Sequence, residues 1–175
     1  HISRSHHLEK ALAAGVDDVV HMVVDNLPAA LISEMIAQDM YWVPTLELWD
    51  GVSELHRVNW DAQAKNNLSR FVSAGGKVAL GTDFDGYVTD FQLGLPMHEM
   101  ELMQAAGMTP MQIIVAGTRN AAHVCNLDTV LGTIEPGKIA DILVVAGNPL
   151  EDLQVLRNVR LVMHNGEVIR EETAD

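Results

Sequence analysis

The 175-residue sequence has little cysteine, few basic residues and no long apolar run. Its single cysteine, Cys125, cannot form an internal disulfide, which favours a reducing compartment, and we expect a cytoplasmic protein. Lysine and arginine number 11 against 24 acidic residues, a formal charge of −13, so neither nucleic acid nor an anionic membrane is an expected partner. No apolar run approaches the roughly 20 residues of a membrane span, and we expect no signal peptide at the start of the sequence.

Short apolar stretches alternate with amphipathic segments over most of the chain. The stretches at 16–21, 41–43 and 77–80 predict strands, and the segments at 5–14, 61–74 and 96–106 predict helices, with a further helix beginning at Pro28. The polar stretch 47–59 predicts a loop. From about residue 129 the pattern becomes all-β, and Asn165-Gly166 is typical of a tight hairpin. We therefore expect two domains, 1–128 and 129–175.

Strand–helix units in series imply parallel strands joined by right-handed crossovers. Such strands form either a closed (β/α)8 barrel or an open doubly wound sheet. With a fourth strand ending at His1, the sequence accounts for half of a barrel.

Polar residues that can bind a metal stand at the ends of these strands. Ligands of parallel α/β proteins lie at the carboxyl ends of the strands, where this sequence has His1, His21 and Asp83. Imidazole and carboxylate suit zinc, iron or manganese, and Asp83 can also accept a proton from a metal-activated water. The alternative is that His21 is structural and Asp83 a turn residue. We expect Glu99 and Glu101 to face solvent.

Taken in order, the motifs resemble the amidohydrolase superfamily of metal-dependent hydrolases. The matching pieces are Ala11 to Asp17 (ALAAGVD) followed by His21, Pro44-Thr45-Leu46, Leu80-Gly81-Thr82-Asp83, Gly107-Met108-Thr109-Pro110, Thr118 to Ala122 (TRNAA) and Gly132 to Asp141 (GTIEPGKIAD). The last of these is the most specific. The pattern is most similar to the imidazolonepropionase-like and Xaa-Pro dipeptidase-like branch.

The resemblance implies a fold and a chemistry. It implies the C-terminal half of a TIM-type barrel, strands five to eight, followed by strands of a small β-sandwich. His1, His21 and Asp83 would bind one or two divalent ions, with zinc expected first, and Asp83 would be the catalytic base. The reaction would be hydrolysis of a C–N bond in a small amide, cyclic amide or dipeptide. Substrate contacts are expected from Asp85, Tyr87 and His98.

The sequence departs from the family by lacking a His-x-His pair and the fourth-strand lysine. We therefore expect these 175 residues alone to be inactive, with the missing N-terminal half of the barrel as the required partner. A second hypothesis is an inert half barrel that pairs with a second copy and serves as a binding or scaffold protein. A third is a metal-free α/β binding domain.

Overall fold

The computed structural model describes residues 1–83 and 94–172. These residues fall into two compact units, one within His1–Met108 and the other within Thr109–Asp175. Residues 109–128 group with the second unit. Our division after residue 128 into a barrel part and a β-sandwich part stays a prediction.

The first unit is an α/β layer built on a parallel sheet. Its elements are α1 (Ser5–Ala14), β1 (Asp18–Val20), α2 (Ala29–Ala37), β2 (Tyr41–Val43), α3 (Leu46–His56), α4 (Trp60–Ser73), β3 (Lys77–Val78) and α5 (Met97–Ala105). The strands lie in the order β1-β2-β3, and both pairings are parallel. The described residues form an open sheet and no closed barrel, so the expected half barrel is present only as this smaller α/β layer.

Strand register places the chemistry-bearing residues at one edge. Val20 is paired with Val43, and the backbone N–H of His21 continues the ladder by donating to the Val43 oxygen across 2.9 Å. On the other side of β1, the N–H of Ile2 donates to the Val20 oxygen across 3.0 Å. The first residues therefore run along β1, and His1 reaches the same edge as His21.

The core of this unit lies between the sheet and its crossover helices. Trp42 is fully buried in the central strand, and its ring meets that of Phe71 from α4 edge-on, with 5.2 Å between centroids. Leu8 of α1 and Met35 of α2 are also fully buried. Burial of each large apolar side chain contributes about 1.5–3 kcal/mol, so this core holds the edge in place.

Local sequence signals predicted most helices of the first unit. The helix expected over 5–14 is α1, and Gly15 ends it in the left-handed conformation at φ 68°. The prediction of a loop over 47–59 was wrong, because α3 occupies most of that stretch. Its sequence is polar on one side, and its first turn is capped by a residue from α5, which no local pattern reveals.

The second unit begins with a short helical segment and ends in an antiparallel sheet. Its elements are α6 (Pro110–Val115), a π-helical turn (Ala116–Asn120), α7 (Ala121–Val124), β4 (Ile142–Val145), a 3-10 turn (Leu153–Arg157), β5 (Val159–His164) and β6 (Glu167–Glu171). Asn165 and Gly166 join β5 to β6 with φ of 50° and 80°, as the hairpin signal predicted. Among the helices of residues 1–83 and 94–172, none is long and apolar enough to cross a membrane.

Candidate metal centre

His1, His21 and Asp83 meet at the carboxyl edge of the parallel sheet. His1 Nδ1 lies 2.6 Å from His21 Nε2, and Asp83 Oδ2 lies 3.8 Å from the same nitrogen. The tilted imidazole rings have centroids 4.7 Å apart. One nitrogen of His21 therefore faces both of the other candidate ligands.

The strand ends turn sharply at this edge. His21 has φ 74°, Thr45 has φ 49° and Asp83 has φ 56°, all in the left-handed region that non-glycine residues rarely adopt. Backbone strain of this kind costs on the order of 1–3 kcal/mol per residue and persists only where surrounding contacts enforce it. All three residues lie in the segments that follow β1, β2 and β3.

A side chain from the neighbouring strand end orients the His21 ring. Thr45 Oγ1 lies 2.9 Å from His21 Nδ1. When the Nε2 lone pair serves a metal, the ring proton is on Nδ1, which then donates to an outer partner; metal-bound histidines generally have such a partner. Thr45 occupies that position, and Nε2 is left facing His1 and Asp83.

Electrostatics at His21 favour the neutral ring. Burial lowers the pKa of His21, against the raising effect of the Asp83 carboxylate. The His21 side chain is only 12% exposed, whereas that of Asp83 is 44% exposed. A neutral imidazole is the form that binds metal, and an accessible carboxylate can reach both a metal and water.

Two sets of hydrogen bonds fix the segments that follow His1 and His21. Asp25, which follows β1, accepts hydrogen bonds from the backbone N–H of Ser5 at 2.9 Å and from its hydroxyl at 3.2 Å. The buried amide of Asn67 donates to the backbone oxygens of Val23 and Asp25 at 2.7 and 2.8 Å. The segments after His1 and His21 are thus tied to each other and to α4.

The donor set fits a divalent transition metal in its chemistry and nearly in its spacing. With bonds of about 2.0–2.2 Å, ligand atoms of a tetrahedral site lie about 3.3–3.6 Å apart. The 2.6 Å and 3.8 Å separations bracket that value, so shifts below about 1 Å bring these atoms into range. In ranges 1–83 and 94–172, no three His, Cys, Asp or Glu side chains already have the geometry of a metal site.

An aromatic wall adjoins His21. The Trp49 ring stands edge-on to His21, with 6.1 Å between centroids, and edge-on to Trp60 at 5.9 Å. The Trp49 indole N–H is buried and has no hydrogen-bond partner in the part of the chain that the structure describes. This apolar wall restricts water on one side of the imidazole.

Of the three candidate substrate-binding residues, the structure describes His98. Asp85 and Tyr87 lie outside the described residues, so their role stays a prediction. His98 lies on α5, where Nε2 is 3.1 Å from Asp50 and Nδ1 is 3.8 Å from Glu101. Asp50 also lines an open depression of about 330 Å³. A substrate contact by His98 stays a prediction as well.

Sequence reasoning missed residues that support the centre. Thr45 was expected only to mark a strand end, and the expectation that Glu99 faces solvent was wrong, since it is fully buried. Its helix, α5, buries Met97, Met100, Leu102 and Met103 around it, so helical periodicity does not separate a solvent face there. Glu101, on the same helix, is exposed as expected.

Comparison with known proteins identifies the family. The model of the amidohydrolase family matches residues 2–169, and the chain belongs to this family. An imidazolonepropionase from Geobacillus kaustophilus is 36% identical over 75 residues, 43% of this chain and 18% of that protein. An ochratoxinase from Aspergillus niger is 34% identical over 95 residues, 53% of this chain and 18% of that protein.

Solved structures give the same family and a wider match. A crystal structure of a Xaa-Pro dipeptidase with bound methionine superimposes with a TM-score of 0.82 and 29% identity, over 96% of this chain and 43% of that one. The chain thus spans less than half the length of the relatives it matches. The resemblance to the imidazolonepropionase-like and dipeptidase-like branch is confirmed, and these relatives imply a TIM-barrel-type fold.

Proposed function

We propose that this chain carries the metal-binding and proton-transferring part of the active site of a hydrolase that cleaves C–N bonds. The supporting observation is the convergence of His1 Nδ1 and Asp83 Oδ2 on His21 Nε2 at the carboxyl edge of the sheet. Active sites of barrel enzymes lie at this edge. Membership of the amidohydrolase family supports the reaction class.

His1, His21 and Asp83 hold the divalent ion in this proposal. Two imidazoles and one carboxylate suit zinc first, and iron or manganese next. The chemistry that such an ion supplies is polarisation of the scissile carbonyl and a lower pKa of bound water. Thr45 keeps the proton of His21 on Nδ1, so that Nε2 presents its lone pair.

Asp83 moves the proton in hydrolysis. Its carboxylate accepts a proton from the attacking water while the water oxygen forms a bond to the carbonyl carbon. The same proton then passes to the leaving nitrogen as the C–N bond breaks, so the carboxylate is regenerated. The half-exposed position of Asp83 gives it access to both water and leaving group.

The proposed substrate class is drawn from the relatives. The relatives named above are an imidazolonepropionase, an ochratoxinase and a Xaa-Pro dipeptidase. We propose a small amide, cyclic amide or dipeptide as substrate, contacted by Asp85, Tyr87 and His98, in a cytoplasmic enzyme with one or two ions.

Catalysis needs more of the barrel than these residues provide. The described residues contribute three candidate ligands on an open three-stranded sheet, and the chain matches 43% of the dipeptidase. We propose that residues 1–175 alone do not hydrolyse amides, and that the N-terminal half of the barrel completes the site. Steady-state assays of the isolated chain on N-acyl amino acids and Xaa-Pro dipeptides, with zinc added, should give only background. Enzyme-like turnover would show that the three ligands suffice.

The ligand assignment is tested by zinc binding. Calorimetric titration of the chain with Zn²⁺ should give one site that His21→Ala and Asp83→Ala each weaken by at least about tenfold, because each removes a donor. His123→Ala is the matched control, since His123 also pairs with a carboxylate, that of Asp128, but belongs to the second unit. Equal affinity in all four proteins would contradict the proposed centre and favour a metal-free binding domain.

The self-pairing hypothesis has its own test. A half barrel that closes against a second copy predicts an obligate dimer, whereas the proposed enzyme half needs no second copy of itself. Sedimentation equilibrium over a hundredfold range of concentration distinguishes the two. A concentration-independent dimer without hydrolysis would favour a scaffold.

A further inference from the structure

A buried carboxylate from α5 caps the helix that follows the Thr45 turn. Glu99 is fully buried, and its Oε1 accepts a hydrogen bond from the N–H of Leu46 at 2.9 Å. Its Oε2 accepts from the N–H of Glu47 at 2.6 Å. Both donors belong to the first turn of α3, where backbone N–H groups have no partner within the helix. A carboxyl group there accepts from two of them, and its ionised form also complements the helix dipole.

Thr45 does not perform the capping that its position predicts. A threonine immediately before a helix usually accepts a hydrogen bond from the second or third N–H of that helix. Thr45 precedes α3 but makes no such bond. Its hydroxyl instead lies 2.9 Å from His21 Nδ1, and the residue holds φ 49°, an unfavourable conformation for a β-branched side chain.

We propose that Glu99 is a positioning residue of the metal centre, because it caps α3 in place of Thr45 and so leaves the Thr45 hydroxyl to orient His21. The inference rests on the proposed function in so far as His21 is a metal ligand. Without the Glu99 carboxyl group, the buried N–H groups of Leu46 and Glu47 lose their acceptor and compete for the Thr45 hydroxyl. The turn then relaxes toward an ordinary cap, and His21 loses its outer partner.

This role differs measurably from a contribution to folding alone. A purely structural Glu99 affects stability but leaves zinc affinity of the folded protein unchanged. A Glu99 that acts through Thr45 affects zinc affinity, and its effect depends on Thr45 being present. A double-mutant cycle between the two residues therefore separates the roles.

The experiment measures Zn²⁺ affinity of the folded chain by calorimetry for Glu99→Gln, Thr45→Val and the double variant. Loss of a ligand's outer partner typically weakens metal binding by about 10- to 100-fold. We expect each single variant to weaken binding within that range, and the double variant to bind like Thr45→Val. Glu101→Gln, two residues along the same helix and exposed, is the matched control and should stay within about twofold of the unmodified chain.

Three results would overturn the inference: unchanged zinc affinity in Glu99→Gln, multiplicative effects in the double variant, or an equal loss in Glu101→Gln. If Glu99→Gln does not fold, Glu99→Asp takes its place, since it keeps the carboxyl group but shortens the reach by one methylene.

A second readout separates this inference from the proposed function. If the unmodified chain binds no zinc, or His21→Ala binds as well as it does, the proposed metal centre fails. The ¹⁵N chemical shifts of the His21 ring at fixed pH then report the hydrogen bond to Thr45 directly. Glu99→Gln and Thr45→Val should change the Nδ1 shift alike and Glu101→Gln should not; an unchanged shift in Glu99→Gln would overturn the positioning role.

Discussion

The indole Nε1 of Trp42 donates a 2.6 Å hydrogen bond to the backbone oxygen of His21. Trp42 lies in the central strand and is fully buried, whereas His21 is the first residue beyond β1 and has φ 74°. A buried core side chain thus supports the unusual backbone conformation of a candidate metal ligand. Core packing and site geometry are connected at this point.

Trp42→Phe should destabilise the first unit by about 2–3 kcal/mol, because it leaves the His21 oxygen without its donor and opens space beside Phe71. Urea unfolding followed by tryptophan fluorescence measures the change, since Trp49 and Trp60 remain as probes. Trp60→Phe, at a half-buried position in cation–π contact with Arg4, is the control and should cost less than about 1 kcal/mol. Equal losses in both variants would argue against a specific role for the indole N–H.

Asn67→Ala should lower the free energy of unfolding by about 2–3 kcal/mol, because the backbone oxygens of Val23 and Asp25 lose their donor inside the protein. Asn66→Ala, on the same helix at an exposed position, should stay within about 0.5 kcal/mol. Denaturant midpoints at constant slope provide the comparison. A loss confined to the slope would instead indicate a change in the unfolded state.

Stability should fall as pH rises through the neutral range because of Glu99. Burial raises the pKa of Glu99 from 4.5 to about 8, against the lowering effect of its hydrogen bonds with the Glu47 and Leu46 N–H groups, while the Glu47 carboxylate adds to the rise. Between these values the folded state binds more protons than the unfolded state. The contribution of Glu99 to the free energy of unfolding is therefore fully present below pH 4.5 and is lost as the pH approaches 8.

Urea unfolding of Glu99→Gln and the unmodified chain at several pH values between 4.5 and 8 tests this expectation. The variant should show a shallower decline, because glutamine does not titrate. Burial also raises the pKa of Glu47, with His98 and Asp50 among its charged neighbours, so a residual decline in the variant is expected. Parallel curves for the two proteins would contradict the assignment to Glu99.

Gly132 and Gly137, both in the second unit, can be compared as two sites for the same substitution. Both have positive φ, 88° and 90°, so alanine costs about 1 kcal/mol at either position from backbone conformation. At Gly132 a Cβ would also lie 2.6 Å from Ala122 Cβ and 3.1 Å from the Thr118 oxygen, whereas nothing lies within 4 Å at Gly137.

Gly132→Ala should therefore destabilise the second unit by about 1–3 kcal/mol more than Gly137→Ala does. Far-UV circular dichroism during thermal unfolding is the suitable readout, because all three tryptophans precede residue 61. Similar midpoints for the two variants would show that the segment around Ala122 shifts to accept a methyl group.

Local signals account for the parts of the fold that were predicted. Gly15 ends α1, Thr109 and Gln112 cap α6 with reciprocal hydrogen bonds, and Asn165-Gly166 closes the β5–β6 hairpin. Each depends on conformational preferences of residues a few positions apart. Local patterns did not predict α3, because Glu99, which caps it, lies 53 residues further along the chain than Leu46.

The sequence by itself determined the strand–helix alternation, the family, and the position of His21 directly after β1, since these depend on periodicity and ordered motifs. Only the tertiary structure decided which groups act on this residue. Thr45 orients His21, Trp42 holds its backbone oxygen, and Glu99 is buried against α3. These contacts join residues more than 20 positions apart, where partners are chosen by the packing of helices on the sheet and not by local preference.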